Sequence, residues 1–186
     1  MRRLYGILAS LVLLVGCGSA PVFRQTGATP SVRLEILAAD TVPGPSRIRM
    51  PIVDGSGQVS GRETFVYVDS IPVFANADVL EARVLEFEDV GHRKEFSVEL
   101  TLTPSAKARF AEFTASRVGR PVAFVIEGRL VSAPFVAERI PGGKCQILVE
   151  GMGVERATQM AQGIVDTSSF RWPRPMVAPS PIPQAH

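Results

Sequence analysis

Residues 95–102, EFSVELTL, alternate without a break. Phe96, Val98, Leu100 and Leu102 fall on one face, and Glu95, Ser97, Glu99 and Thr101 on the other. A period of two with one apolar and one polar face predicts a half-buried strand. Thr103-Pro104 follows at once. Threonine can cap a helix through its hydroxyl, and proline fits the first helical position because its missing N–H is not needed there. Ala106, Phe110 and Phe113 then recur at helical spacing, with Gly119 as the stop. A sheet strand running straight into an amphipathic helix confines the chain to a layered α and β architecture.

The rest of the chain agrees with that frame. VRLEIL (32–37) alternates, ETFVYVD (63–69) is rich in β-branched and aromatic residues, and LEARVLEFED (80–89) reads as a further strand. Between the first two lies a turn-rich passage, 41–62, with room for an irregular hairpin. PVAFVI (121–126) has no polar face and predicts a central strand covered on both sides. Glu127-Gly128 turns the chain into RLVSA, and KCQILVE (144–150) is the last strand. A second helix starts near Val154, with Val154, Ala157, Met160, Ala161 and Ile164 on one stripe. The expected fold class is α+β: an antiparallel or mixed sheet with two main helices packed on one face.

The N-terminus sets the expected compartment. Arg2-Arg3 precede the apolar run 4–16. That run falls short of the roughly 20 residues of a membrane span and reads as a signal peptide. Its end, Leu14-Val15-Gly16-Cys17, matches a bacterial lipobox. Cys17 would then carry the acyl chains, each buried CH₂ contributing about 0.8 kcal/mol to anchoring. Gly18 rather than aspartate after the cysteine favours the outer membrane in a Gram-negative cell. The expected organisation is a signal peptide at 1–16, a lipidated cysteine and flexible tether at 17–30, a folded domain at 31–168 and a Pro-rich disordered tail at 169–186. With Arg2 and Arg3 removed, 18 Lys+Arg balance 18 Asp+Glu, so charge gives no pull toward nucleic acid.

A search for chemistry finds little. The two histidines are His92, in a turn, and His186, the last residue; neither sits in metal-ligand spacing. Ser132 lies in Leu-Val-Ser-Ala-Pro, which lacks the form of a nucleophile elbow, and Pro134 has no N–H to offer an oxyanion. Glu127, Glu138 and Glu150 have no spacing that marks an acid–base pair, and no phosphate-binding glycine motif occurs. Cys145 reads as a small buried hydrophobe. No enzyme, metal, cofactor or small-molecule substrate is expected.

The stretch 113–164 carries a recognisable series: Val118-Gly119-Arg120, the apolar strand Val122–Ile126, the turn Glu127-Gly128, Val131-Ser132-Ala133-Pro134, Ile140-Pro141-Gly142-Gly143, a strand ending at Gly151, and Glu155-Arg156-Ala157. It resembles the head subdomain of the first periplasmic domain of SecD and SecDF, auxiliary membrane proteins of the Sec translocase. VYVDSIPVFANADVLEARV (66–84) is similar to the segment that precedes that head. The resemblance is strong over 96–165 and weaker over 31–95. Two departures stand out. The turn is Glu-Gly instead of Asp-Gly, from which a different turn type is expected, and Asn76-Ala77-Asp78 lacks a glycine.

The resemblance implies a non-enzymatic module that engages emerging polypeptides or moves during export. Nothing after residue 17 reads as a membrane span, so the expected protein is the periplasmic module alone, held by lipid rather than driven by protons. The expected partners are the membrane, through the anchor, and an unfolded polypeptide or another envelope protein. The expected contact surface is the hairpin and loop 126–143, with Leu130, Val131, Phe135 and Ile140 as candidates. Gly128, Pro134, Gly142 and Gly143 are read as shaping its turns. An exposed apolar cluster or an unpaired sheet edge would favour binding; a uniformly polar surface would favour a passive structural or inhibitory scaffold.

Overall fold

The computed structural model describes residues 21–27, 30–59, 65–89 and 91–166. The signal peptide, Cys17 and the Pro-rich tail lie outside the described residues. The elements run β1 (Val22–Arg24), β2 (Leu34–Asp40), β3 (Arg47–Pro51), β4 (Phe65–Asp69), β5 (Phe74–Ala75), β6 (Val79–Glu88), β7 (Lys94–Leu102), α1 (Pro104–Ser116), β8 (Val122–Ile126), β9 (Arg129–Ser132), β10 (Lys144–Leu148) and α2 (Val154–Val165). The α+β reading holds, and all strand pairings within the sheets are antiparallel. The strands divide into two sheets rather than one. The first runs β1-β6-β7-β10; the second runs β3-β4-β2-β8-β9, with the short β5 beside β2.

The main core lies between the sheets. Val84, Val98, Leu100 and Ile147 of the first sheet meet Leu34, Ile36, Phe124 and Ile126 of the second. Phe110 of α1 and Met160 and Ile164 of α2 complete it. Burying each large apolar side chain contributes about 1.5–3 kcal/mol. The alternate residues of β8, Ala123 and Val125, enter a second core with Leu37, Ala39, Val66, Val68 and Leu130. The second sheet curls around this core until Val53 N–H donates to Leu130 O (2.9 Å), bringing the extension of β3 onto β9. This explains why 122–126 shows no polar face: both sides are covered.

Helix α1 starts as its sequence predicts, with the Thr103 hydroxyl accepting from Ala106 N–H (3.3 Å) and Pro104 at the first position. It ends at Ser116, and Gly119 serves the turn beyond at φ 76. Phe74 packs edge-on against Phe110 and Phe113 at centroid distances of 5.4 and 5.8 Å. Arg117, buried at the helix end, donates to the carbonyls of Ala39 and Pro121. Burial, and next the charge of Arg120, lower its pKa from the ordinary arginine value. In α2, Ala157, Met160, Ala161 and Ile164 are buried as expected, but Val154 in the first turn stays 43% exposed because it lies beyond the edge of the core.

Three polar features hold the layers together. Asn76 follows β5: its Oδ1 accepts from Leu34 N–H (2.9 Å), and its Nδ2 donates to Val32 O (2.8 Å) and Ile164 O (2.9 Å). One amide thus ties β2 to the last turn of α2, where helix carbonyls lack partners of their own. Gly55 N–H donates to Glu150 O (2.7 Å), and the Arg156 guanidinium donates to Gly55 O, which joins the 54–58 loop to the turn after β10. Within that loop burial opposes the Asp54 charge, but bonds from the Ser56 hydroxyl and the N–H groups of Gln58 and Ser56 prevail and hold its carboxyl below the usual range. Third, Ser31 N–H bonds to Gly163 O (3.1 Å) and Asp166 O (3.0 Å), and Val32 N–H to Gly163 O (3.0 Å).

One expected boundary is corrected. Residues 18–30 are not a tether throughout, since β1 pairs with β6 through Val22↔Arg83, Phe23↔Ala82 and Arg24↔Glu81. Phe23 packs against the main core and Arg24 Nε lies 2.7 Å from Glu81. The small and proline residues around this triplet conceal its single apolar anchor. The turn-rich 41–62 passage holds β3, hairpin partner of β4, which its two arginines and proline disguised.

Candidate functional site: a groove along an open sheet edge

The opening between the sheets follows β10. This strand is the last of its sheet, paired with β7 on one side only. Leu102 N–H donates to Gly143 O (2.8 Å), which fixes the alternation of the antiparallel ladder. Cys145 and Ile147 turn their N–H and C=O groups to β7; Lys144, Gln146 and Leu148 turn theirs outward. Among the described residues no strand takes up those outward groups.

Sheet edges are commonly blunted by shortness, proline, bulges or charge. β1 has three residues; β3 ends in Pro51 and curls onto β9. β9 pairs with β8 through a register shift and is followed two residues on by Pro134. β10 runs in unbroken register from Lys144 to Leu148, and of these devices it has one lysine. It is the open edge among these.

Beside it lie two cavities of about 440 and 620 Å³ that share Ser132, Pro134 and Leu148 and so form one groove. Its apolar floor includes Phe110, Val122, Phe124 and Val131. The far wall is the segment after β9. That wall is pinned by Val122 N–H to Pro134 O (3.0 Å), Val136 N–H to Arg120 O (3.0 Å), Gly119 N–H to Val136 O (2.8 Å) and Ile140 N–H to the Thr114 hydroxyl (3.0 Å). Leu148 is 49% exposed on one side of the groove and Phe135 61% on the other. Cys145 is partly buried against the main core; burial, then the Glu99 charge, push its thiol up to about 12, so it stays protonated at neutral pH.

The structure sorts the candidate contact residues. Leu130 is 1% exposed in the second core, away from the groove, and Val131, 2% exposed in the main core, reaches the groove only as part of its floor. Successive strand residues point to opposite faces, and here both faces are covered. Phe135 and Ile140 line the groove, Ile140 packed partly against the core. Ser132 lines it too, while the exposed His92 contacts Glu88 (3.5 Å), four residues earlier. Gln146 and Leu148 were missed as site residues; KCQILVE reads as a strand, but its place at a sheet edge depends on pairing with residues some 45 positions away.

The turn residues also separate. Glu127 and Gly128 have φ 51 and 74, the two left-handed positions of a type I′ hairpin. The expected change of turn type does not occur. Glu127 holds its unfavoured conformation through two ties to Arg33: its carboxylate accepts from Arg33 N–H and its own N–H donates to Arg33 O (3.0 Å). Gly128→Val is expected to destabilise by about 1 kcal/mol or more, because a β-branched residue resists positive φ; a urea midpoint unchanged from the parent's would contradict it. Gly143, at φ 66, also lies where a Cβ would come within 2.9 Å of Lys107 Cγ. Gly142 has neither restriction. Pro134 accepts at its carbonyl and offers no N–H, and past it only isolated bridges, Pro121 to Phe135 and Val118 to Val136, continue the pairing.

Residues 62–164, more than half of the chain, match the family model of the SecDF P1 head subdomain. The chain is 35% identical over 91 residues to the protein translocase subunit SecDF of Thermus thermophilus, which covers 48% of this chain and 12% of that protein. It is 26% identical over 155 residues to the protein translocase subunit SecD of Rhodobacter capsulatus, covering 81% of this chain and 26% of the relative. It therefore spans only a small part of either relative's length. Among solved structures, SecDF described as a membrane component that enhances protein export superposes with a TM-score of 0.51 at 20% identity, over 77% of this chain and 66% of that one. The crystal structure of SecDF in its super-membrane-facing form gives 0.51 at 19% identity, over 77% and 20%. The two sheets, the two helices and the matched sequence together place this chain in the SecDF P1 head subdomain family.

Proposed function

We propose that this chain is a non-enzymatic envelope lipoprotein whose head domain binds polypeptide, as an accessory to protein export. The observation that carries the reading is the open β10 edge beside an apolar groove. An unpaired edge offers main-chain hydrogen bonds to any extended chain, and the apolar floor adds burial without demanding one sequence. The family supports it: a SecDF of this fold is described as enhancing export.

The test is titration of the full chain with an unfolded secretory polypeptide. Saturable binding is expected, weakened by Phe135→Asp. Absence of binding at high concentration, with tight capture of one folded envelope protein instead, would favour the passive scaffold.

Anchoring belongs to the same proposal. No helix of the described residues is long and apolar enough to cross a membrane. On this reading Cys17, at the end of the lipobox-like Leu14-Val15-Gly16-Cys17, carries the attachment, the domain faces the periplasm, and Gly18 favours the outer membrane. Cys17→Ser is expected to accumulate uncleaved precursor or to release the protein from the membrane fraction. Normal processing with unchanged fractionation would refute the anchor, and density-gradient separation decides which membrane holds it.

A further inference from the structure

We infer that the segment accepted by this groove is an extended strand with apolar residues at alternate positions and basic residues at its ends. The inference rests on the polypeptide-binding reading above and adds the chemistry of the client.

The main chain sets the first requirement. Lys144, Gln146 and Leu148 turn their N–H and C=O groups outward, a spacing of two that matches a strand and not a helix. A helical segment satisfies its own backbone and gains nothing from these groups. A proline facing them would lack the donor.

Side chains set the second. Along a strand lying in the groove, alternate residues point in opposite directions. One set meets the floor of Phe110, Phe124 and Ile140, and the other lies with the exposed side chains of Gln146 and Leu148. The first set must be apolar, while the second is free to be polar.

Charge sets the third. One end of the groove holds Asp89, Glu95 and Glu150 against Arg93. The other holds Glu99 and Glu138 against Lys144. Five carboxylates against these two cations and Arg83, which also pairs with Glu99, leave the groove a net charge of −2, on a chain whose formal net charge is +2. The groove is thus acidic against the balance of the molecule, and its complement is a segment with basic flanks.

The experiment uses the full chain and a synthetic acetylated Lys-Val-Thr-Val-Thr-Val-Thr-Val-Lys amide. N-methylating one alternate set of its amides should weaken binding at least about tenfold, and methylating the other set should change it less than about threefold. Exchanging the terminal lysines for glutamates should weaken binding, more so at low salt. Glu138→Lys, at an exposed position, should lessen that preference without affecting folding. Equal effects of the two methylated sets, or indifference to the flanking charge, overturns the inference. A free chain that sediments as a dimer and becomes monomeric with Gln146→Pro overturns it as well, since a second copy would then hold the edge. If unfolded polypeptide binds but the methylated sets do not differ, the inference alone falls. If neither peptide nor polypeptide binds, the function proposed above falls with it.

Discussion

Asn76→Leu is expected to destabilise the domain by about 3 kcal/mol, although leucine has nearly the same volume. The substitution removes three hydrogen bonds and strands their partners: Leu34 N–H, Val32 O and Ile164 O. These main-chain groups sit in a part-buried region, where leaving one unsatisfied costs about 1–3 kcal/mol; partial water access argues for the low end of that range. Asn76→Asp separates the contributions. It keeps an acceptor for Leu34 N–H but brings a carboxylate against two carbonyls. Its deficit should therefore shrink as pH falls into the carboxylate range, because the protonated acid regains a donor. Urea midpoints across that range measure both variants. A loss below about 1 kcal/mol for the leucine variant would show that water replaces the amide.

Gly55→Val should be nearly as damaging, by about 2–3 kcal/mol. A Cβ at this position would lie 2.7 Å from Met152 N and 2.8 Å from the Gly151 carbonyl carbon and oxygen. These are backbone atoms, so no side chain can swing aside. Either the 54–58 loop lifts, breaking the bond to Glu150 O and the Arg156 contact, or the turn moves and draws the buried Met152 with it. Since the clash begins at Cβ, Gly55→Ala should already show much of the loss. Gly142→Ala is the matched control: a Cβ there meets nothing within 4 Å, and the change should stay within about 0.5 kcal/mol. Equal thermal midpoints for the two alanine variants would contradict the close-approach account.

What could be read from the sequence was what depends on near neighbours. The alternation of 95–102, the Thr103-Pro104 cap and the uniformly apolar 122–126 each report on a few adjacent residues, and β7, α1 and β8 lie where those signals put them. Lipidation at Cys17 and the tail lie outside the described residues. What could not be read depends on pairing across distance. β1 joins residues 22–24 to 81–83, and the division into two sheets follows from which strands meet, a choice the local pattern does not record. Leu130 and Val131 show the difficulty at the site. An apolar pair in a hairpin fits either an exposed contact or a strand covered on both sides, and only the curl of the second sheet decides. The segment Asn76-Ala77-Asp78 lacks an expected glycine and could be mistaken for a weakened match; the three bonds of Asn76 give that position a role of its own.

The clasp between Ser31–Val32 and Gly163–Asp166 has a topological consequence. The stretch that leads from β1 into β2 meets the end of α2 at one point, where Thr26 Oγ1 also donates to Asp166 Oδ1 (3.4 Å), so the folded body begins, one short strand earlier, near where it ends. A unit whose ends meet can be spliced into a loop of a larger protein without forcing the host's flanking elements apart. The same geometry makes this fold portable: a longer chain can carry it as a side branch, and a tethered chain can display it as a single bead. Joining residues 21 and 166 through a linker long enough to keep β1 in place, and opening the chain elsewhere in an exposed loop, is the corresponding circular permutation, and the native fold should survive it.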